Sequence, residues 1–152
     1  MIVINPTLDE VLPLFRALHN FHVCLSPHIY HAEGADEVYL DILRSALSDG
    51  GKIYAVDAGW GLVAYLLALQ EDRTQNGLRR GGRRIKIDHL YIAPTHRGLG
   101  LGQQLVARME QNMRDQGIRR WVVSQDATNL PATDFYRSVG AVDRALMLEK
   151  YL

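Results

Sequence analysis

Three glycines at alternate positions, Gly98, Gly100 and Gly102, follow Arg97 and have a spacing suited to binding an anion. The β-branched and bulky residues before Pro94 predict a strand, and the apolar residues that recur every four positions after Gly102 predict a helix. Glycines at such a junction let backbone N–H groups approach a ligand with no Cβ in the way. Because a helix N-terminus has unpaired N–H groups and a positive dipole end, the sequence predicts a phosphate or pyrophosphate site here.

The spacing excludes two common phosphate-binding motifs. A P-loop requires a lysine after its last glycine, and no lysine follows Gly102. A dinucleotide fingerprint counted from Gly98 would need a third glycine where Gln103 stands. A glycine-rich turn before an ordinary helix remains as the structural alternative.

Four histidines form a second candidate group, His19, His22, His28 and His31. The His-x-x-His spacing can place two metal ligands on one helical face. No cysteine or carboxylate completes a known ligand spacing, so a polar helix surface is the favoured interpretation and no metal is expected.

The composition is that of one soluble globular domain covering residues 1–152, with 47% hydrophobic and 22% charged residues. Seventeen basic residues balance 17 acidic ones, which argues against nucleic acid or an anionic membrane as a partner. The lone Cys24 excludes an internal disulfide. With no signal-peptide pattern and no apolar stretch of about 20 residues, a cytoplasmic protein is expected.

The first half of the chain predicts a strand, two helices and a hairpin. The strand is Ile2–Ile4, and the first helix begins at Thr7, which can cap it. The second helix covers Asp36–Leu47, and Lys52–Asp57 pairs with Leu62–Gln70 as the hairpin.

A polar stretch, Glu71–Arg84, follows the hairpin and predicts a long flexible loop. It contains five arginines, Arg73, Arg79, Arg80, Arg83 and Arg84. They could meet an acidic substrate or a coenzyme phosphate, but a solvated loop is the favoured interpretation.

The strand before the glycines has an irregular alternation. Its apolar residues occupy first one phase and then the other, Ile85 and Ile87 followed by Leu90 and Ile92. A slip of one residue near Asp88 and His89 is what a β-bulge produces, although a strand buried on both faces could give the same pattern.

The last third predicts a strand, a helix and a closing strand. Gly117 ends the helix that follows the glycines, and Arg120–Gln125 is a buried strand. A helix covers Asn129–Gly140, and Val142–Glu149 is the closing strand. Hairpin strands ahead of the glycines argue against a Rossmann sheet and favour an α/β fold with a mixed sheet and helices on both faces.

Two motifs resemble those of the GNAT superfamily of N-acetyltransferases. Arg97-x-x-Gly100-x-Gly102 is similar to the acetyl-CoA-binding motif of that family. The C-terminal motif is similar too, with Asn129, Ala132, Phe135, Tyr136 and Gly140 at the family's spacing. The sequence departs from the family pattern at two residues, Ala141 in place of Phe and Ala64 in place of Gly.

The resemblance implies a central mixed sheet splayed between two parallel strands, Ile87–Ile92 and Trp121–Gln125, with coenzyme A in the opening. The pantetheine would pair with the backbone of Leu90 and Ile92, as an added strand does. The coenzyme-binding residues that the resemblance implies are Leu90, Tyr91, Ile92, Arg97, Gly98, Leu99, Gly100, Leu101, Gly102, Gln103, Asn129 and Tyr136.

The resemblance also implies the catalytic groups. Tyr136 matches the general acid that donates a proton to the departing thiolate, and the Ile92 N–H matches the donor to the developing oxyanion. Asp88 and His89 are the candidate bases, because they lie on the strand that would carry the thioester.

The expected function is therefore transfer of an acetyl group from acetyl-CoA to a primary amine of a small molecule or a protein, with no metal. Dimers are frequent in that family, so a homodimer is among the expectations. The alternatives are a non-catalytic acyl-CoA-binding or sensor domain on the same fold and a nucleotide-binding oxidoreductase, which the glycine spacing disfavours.

Overall fold

The computed structural model describes residues 1–152 and contains five strands and four helices. The strands are β1 (Ile2–Ile4), β2 (Lys52–Asp57), β3 (Leu62–Arg73), β4 (Gly82–Ile92) and β5 (Trp121–Val123). The helices are α1 (Leu8–Leu25), α2 (Asp36–Ser48), α3 (Leu101–Asp115) and α4 (Leu130–Ser138), with one 3₁₀ turn at Pro94–His96. The predicted order of elements is confirmed as far as α4. No helix combines the length and the apolar character that a membrane crossing requires.

The strands form one sheet in the order β1-β2-β3-β4-β5. The first three pairs are antiparallel, and β4 pairs with β5 in parallel. Two parallel neighbours need a crossover between them, and α3 lies in that connection. The prediction of a mixed sheet is confirmed.

Helices cover both faces of the sheet because its strands alternate two sets of apolar side chains. On β2, Tyr54 and Val56 belong to a core cluster that includes residues of α3 and α4. Ile53 and Ala55 belong to a second cluster with residues of α1 and α2. The connection from β4 to α3, which contains the glycines, therefore leads into the helices that cover the first of these two faces, α3 and α4.

A β-bulge interrupts β4 where the sequence predicts it. Leu67 pairs with His89 while Ala68 pairs with Ile87, so Asp88 has no opposite residue on β3. Because of the bulge, the apolar side chains before and after it lie on the same face of the sheet. Those that contact the α3 side are Ile85, Ile87, Leu90 and Ile92.

The parallel ladder between β4 and β5 is short. It runs from Ile85 opposite Trp121 to Ile87 opposite Val123 and then stops. β4 continues for five more residues along β3, to Ile92. The two strands therefore leave an opening beyond Ile87 and Val123, as the resemblance implies.

The arginine-rich stretch is less of a loop than predicted, because β3 extends to Arg73 and β4 begins at Gly82. Two cross-strand ion pairs explain the difference, Arg84 with Glu71 at 2.5 Å and Arg83 with Asp72 at 2.7 Å. Each pair joins residues directly opposite in the register, where opposite charges stabilise strand pairing. The remaining loop is 74–81. It lies at the opposite end of β4 from the glycines, and the length of β4 separates them by roughly 33 Å at about 3.3 Å per residue.

The predicted closing strand, Val142–Glu149, is wrong. Residues 142–152 form neither helix nor strand and are exposed throughout. A strand needs a neighbouring edge to satisfy its backbone groups, and this stretch pairs with no strand of its own chain. The preceding strand is also shorter than predicted, since β5 ends at Val123.

Candidate functional site

The segment after β4, residues 97–102, is called the glycine loop. Its glycines are needed for two different structural reasons. Gly98 and Gly100 have φ angles of +75° and +74°, a left-handed conformation that strains other residues. Gly102 instead permits close packing, because a Cβ there would lie 3.0 Å from the ring of Phe135 on α4. The loop is therefore shaped both by its backbone and by the helix that packs against it.

The glycine loop presents a run of unpaired donors at the start of α3. Gln104 donates the first helical hydrogen bond, to the Gly100 carbonyl at 3.0 Å. The N–H groups of residues 98–103 have no acceptor within the protein, whereas the Arg97 N–H makes a long bond of 3.4 Å to Pro94. Such a set of N–H groups at a helix N-terminus suits a pyrophosphate.

The backbone of β4 faces the opening at alternate residues. The Ala93 N–H donates to the Val63 carbonyl on β3, so in the antiparallel register the backbone groups of Tyr91 also point at β3. Those of Leu90 and Ile92 point the other way, into the opening, where no strand pairs with them. The Ile92 carbonyl there accepts a hydrogen bond of 3.1 Å from Nε of Arg97.

Tyr136, on α4, is 8% exposed and packs in the cluster on the α3 side of the sheet, its ring 5.2 Å from that of Phe135. Burial raises its pKa, so the phenol stays protonated and able to donate. Its hydroxyl makes no hydrogen bond in the protein. Because every fully buried side-chain polar atom has a partner, this hydroxyl is not fully buried. The hydroxyl therefore retains contact with solvent and is available to a ligand.

His89 lies on the opposite face of the sheet from Tyr136. Its ring is 4.3 Å from that of Phe15 on α1, and its Nδ1 is 3.0 Å from the hydroxyl of Tyr65. Burial lowers the pKa of His89 to about 4, although the nearby Asp88 carboxylate raises it. The imidazole is therefore neutral at physiological pH.

Asp88, the bulge residue, links this histidine to a lysine. Its carboxylate is 3.0 Å from Nζ of Lys86 and 3.6 Å from Nε2 of His89. The carboxylate favours the tautomer with the proton on Nε2, which leaves Nδ1 to accept from Tyr65. Burial raises the pKa of Tyr65 well above its usual value, consistent with Tyr65 as the donor.

Two predicted coenzyme contacts have other roles in the structure. Asn129 is the N-cap of α4, and its side-chain oxygen accepts from the Ala132 N–H at 3.3 Å. The side chain of Tyr91 packs on the α1 and α2 side of the sheet. Contacts of either residue with a coenzyme stay predictions.

The sequence interpretation missed Tyr65 and the link between Ser26 and Asp126. Tyr65 is fully buried within the apolar strand β3, where a tyrosine needs a partner for its hydroxyl. The Ser26 hydroxyl donates to Asp126 at 2.7 Å and joins the end of α1 to the segment after β5. Hydrogen bonds from Thr128 and Ser26 lower the pKa of Asp126 to about 2.

The histidines of α1 lie near the same region of the sheet as His89. The pKa of His22 is lowered by burial and by the neighbouring His19. Nε2 of His19 lies 2.7 Å from the backbone oxygen of His31. No three His, Cys, Asp or Glu side chains come together as a set of metal ligands.

The model of the acetyltransferase (GNAT) family matches residues 15–141, from α1 to the end of α4. The chain belongs to this family. Within it, a thialysine N-epsilon-acetyltransferase of Sus scrofa is 29% identical over 62 residues, which are 41% of this chain and 36% of that protein. N-acetyltransferase 8B of Rattus norvegicus is 29% identical over 101 residues, 66% of this chain and 44% of that protein.

The matched regions are less than half the length of these two curated relatives. Among solved structures, a tetramutant of the BH1408 protein from Bacillus halodurans superposes with a TM-score of 0.88. It covers 100% of this GNAT chain and 99% of its own at 18% identity, which shows the fold. The predicted family and fold are confirmed.

Proposed function

We propose that this GNAT protein transfers an acetyl group from acetyl-CoA to a primary amine. The observation that carries the proposal is the opening between β4 and β5, where the backbone of Leu90 and Ile92 forms one wall and pairs with no strand, and which ends at the glycine loop. An extended chain of amides can pair with that wall as a strand would, and a pyrophosphate can occupy the N–H groups of residues 98–103. The opening thus has groups for both ends of a coenzyme A molecule.

The residues on the two faces of the sheet fit the two halves of the reaction. Bound acetyl-CoA supplies the thioester from which the amine takes the acyl group. In this proposal the Ile92 N–H, which points into the opening, donates to the thioester oxygen as negative charge builds there. We assign the proton donor to the sulfur, as the carbon–sulfur bond breaks, to Tyr136, whose hydroxyl is protonated and in contact with solvent.

The amine must lose a proton before it attacks, since an ammonium group has no free electron pair. We assign this role to the Asp88 carboxylate, acting directly or through water, with His89 as a positioning residue. Both His89 nitrogens face partners, Tyr65 at 3.0 Å and Asp88 at 3.6 Å, so the imidazole orients the carboxylate. The acceptor would approach from the α1 and α2 side, opposite the coenzyme.

The acceptor class is a primary amine. The Sus scrofa relative is named for acetylation of an ε-nitrogen, and the match to this chain supports the same type of nitrogen here.

Two measurements test the proposal. Isothermal titration with acetyl-CoA should show binding that Gly100→Asp abolishes, because the new carboxylate lies where the pyrophosphate should bind. Gly117→Asp is the matched control, with a φ of +70° against +74° for Gly100 and a position at the far end of α3. Equal affinity in the two folded variants would contradict the assignment of the site.

Turnover is tested separately by release of free thiol from acetyl-CoA across a panel of primary amines. We expect at least one amine to be acetylated, with the product confirmed by mass. Binding of acetyl-CoA without turnover of any amine would favour the non-catalytic acyl-CoA-binding alternative.

A further inference from the structure

Exposed arginines lie together at the end of the sheet opposite the glycine loop. Arg73 ends β3, Arg79 lies in the 74–81 loop, and Arg120 directly precedes β5. All three side chains are exposed, and none of them forms an ion pair within the protein. These three residues are called the arginine patch.

The register of the sheet brings the patch together around Arg84. Arg73 is two residues beyond Glu71, which lies directly opposite Arg84. The Ile85 N–H donates to the Arg120 carbonyl at 3.0 Å, so Arg120 is level with Arg84 on the other side of β4. Three elements that are distant in sequence therefore meet at one end of the sheet.

The charges of these arginines affect one another. The positive charge of Arg84 lowers the pKa of Arg73 most, and the charges of Arg79 and Arg120 lower it further. Arg84 itself is 16% exposed and is neutralised by Glu71 at 2.5 Å. The exposed positive charge is therefore that of the arginine patch.

The loop that carries Arg79 is a compact turn. The Asn76 N–H donates to the Arg79 carbonyl at 3.0 Å, and Oδ1 of Asn76 accepts from the N–H groups of Leu78 and Arg79 at 2.9 and 2.8 Å. At Gly81 a Cβ would lie 2.8 Å from the Gln75 nitrogen, so the two ends of the loop approach closely. Because the backbone is already ordered, less conformational entropy is lost when Arg79 binds a ligand.

The arginine patch and the proposed base lie on the same face of the sheet. Glu71 and Asp88 both border the depression beside α2, and Arg73 shares the face of Glu71 because the two are two residues apart on one strand. Trp121 packs in the cluster on the α3 side, so its neighbour Arg120 points to the α2 side. A molecule that lies along this face can reach both the patch and Asp88.

The same end of the hairpin already pairs arginines with carboxylates. Arg83 is 2.7 Å from Asp72, and Arg84 is 2.5 Å from Glu71. A guanidinium group binds a carboxylate or a phosphate through parallel N–H donors. A coenzyme phosphate is excluded, because the glycine loop is roughly 33 Å away along β4. Carboxylates of another molecule would continue the pairing that the hairpin begins.

Two observations favour an acidic polypeptide over a nucleic acid. Single-stranded nucleic acids are bound largely by stacking of bases on aromatic side chains, and Trp121, the aromatic neighbour of Arg120, packs on the other face. The formal net charge of the chain is 0 at pH 7, so the protein as a whole does not attract a long polyanion. A local cluster of three arginines suits a short run of carboxylates.

We propose that the arginine patch binds an acidic segment of a protein acceptor whose amine reacts at Asp88. Arg120 is level with residue 84 and Arg73 is opposite residue 82, so the patch lies about 13–20 Å from Asp88 along β4 at about 3.3 Å per residue. A small amine at Asp88 leaves the patch unoccupied. An extended polypeptide reaches both when its acidic residues stand about four to six positions from the reacting lysine. The acceptor part of this inference rests on the proposed function, whereas binding of the acidic segment does not.

Binding is measured first, without acetyl-CoA. Fluorescence anisotropy of a short labelled polyglutamate peptide compares the wild type with the triple variant Arg73→Gln/Arg79→Gln/Arg120→Gln. Exposed ion pairs are individually weak, so we expect the loss of three to lower the affinity by about tenfold. Absence of polyglutamate binding to the wild type would overturn the proposal.

A second triple variant is the control for total charge. Arg108→Gln/Arg144→Gln/Lys150→Gln also removes three exposed positive charges, from residues outside the patch. It should bind polyglutamate as the wild type does, and equal affinities of the two triple variants would overturn the proposal. Polyuridylate RNA of the same length is the competitor. Displacement of polyglutamate by a lower concentration of this RNA would assign the patch to nucleic acid and also overturn it.

Turnover then tests the acceptor. Two lysine peptides differ only in having glutamates or glutamines about four to six positions from the lysine, in one pair on each side of it. In the wild type, kcat/KM should be about tenfold higher for a glutamate peptide, and the patch variant should lose this preference through KM with kcat unchanged. Turnover of a small amine should be the same in both proteins.

The outcomes separate this inference from the proposed function. Equal kcat/KM for the glutamate and glutamine peptides in an active wild type would overturn the acceptor role of the patch and leave acetyl transfer intact. Absence of turnover with every amine would contradict the proposed function and the acceptor role together. The anisotropy measurement would still decide whether the patch binds an acidic segment.

Discussion

The Tyr65 hydroxyl and Nδ1 of His89 lie 3.0 Å apart and join β3 to β4 one residue after the bulge. Both side chains are buried on the α1 and α2 side of the sheet, where Phe15 covers the imidazole at 4.3 Å. The hydrogen bond gives a buried histidine a partner and fixes its orientation toward Asp88. The His89 ring therefore contributes to the stability of the fold as well as to the candidate site.

We expect His89 to make stability fall as the pH is lowered from about 6.5 to about 4. Burial lowers its pKa in the folded protein, with Asp88 raising it and His22, Lys86 and His19 lowering it further. In this window the unfolded chain takes up a proton at residue 89 and the folded protein does not. The free energy of unfolding should therefore lose up to about 1.4 kcal/mol per pH unit from this residue.

Urea unfolding of wild type and His89→Gln at several pH values measures this slope. The difference between the two proteins should be constant above pH 7, where histidine is neutral in both states. It should change steadily between about pH 6.5 and 4. Parallel stability curves across that window would show that residue 89 binds protons equally in both states.

A second prediction concerns the base. Asp88→Asn removes the proposed proton acceptor and keeps the side-chain volume, so kcat/KM should fall by about 10²-fold or more and the acidic limb of the pH–rate profile should disappear. His89→Gln should lower kcat/KM less and shift the limb without removing it, because His89 acts through the carboxylate. The profile is recorded with an amine that the panel identifies.

Asp49→Asn is the control for this experiment. Asp49 borders the same depression as Asp88, beside Ile42 and Leu69, but it lies at the end of α2. A general change in local charge would affect both variants. An unchanged acidic limb in Asp88→Asn would place the base elsewhere or leave water alone in that role.

The sequence alone predicts the glycine loop and the bulge, because both depend on local patterns. The phase slip across Asp88 is visible in the alternation of apolar residues, and the loop in the spacing of three glycines. The Tyr65–His89 contact joins residues 24 apart through the register of two strands, which no local pattern reveals.

The incorrect element predictions have a common cause. The ion pairs of Glu71 and Asp72 extend a hairpin that polar composition alone marks as a loop. In the segment 142–149, strand composition is present but no edge of the same chain pairs with it. In both cases the outcome depends on what lies opposite the residue, and composition does not specify that.

A third prediction tests the packing of the glycine loop on α4. In Gly102→Ala the new methyl would lie 3.0 and 3.1 Å from two ring atoms of Phe135, and such overpacking costs about 1–3 kcal/mol. The better helix propensity of alanine returns up to about 1 kcal/mol. We therefore expect a net loss of up to about 2 kcal/mol in the free energy of unfolding.

The double-mutant cycle with Phe135→Leu isolates this contact. In the Phe135→Leu background the ring is gone, so Gly102→Ala should be neutral or stabilising. Chemical denaturation of the four proteins gives the coupling free energy. An equal effect of Gly102→Ala in both backgrounds would show that Phe135 is not the constraint on this glycine.

The last prediction concerns Tyr136, whose hydroxyl has no partner within the protein and keeps contact with solvent. Tyr136→Phe retains the ring that packs against Phe135 and leaves no protein group without a hydrogen bond, so stability and acetyl-CoA affinity should change little. Loss of a proton donor to the departing sulfur should lower the rate of acetyl transfer by at least about tenfold. Single-turnover kinetics with an identified amine is the appropriate measurement, because slow product release can mask a chemical defect. Tyr54→Phe is the matched control, since Tyr54 is buried in the same cluster but lies on β2, away from the opening. Native transfer rates in Tyr136→Phe would make Tyr136 a packing residue and leave the departing thiolate without a proton donor from α4.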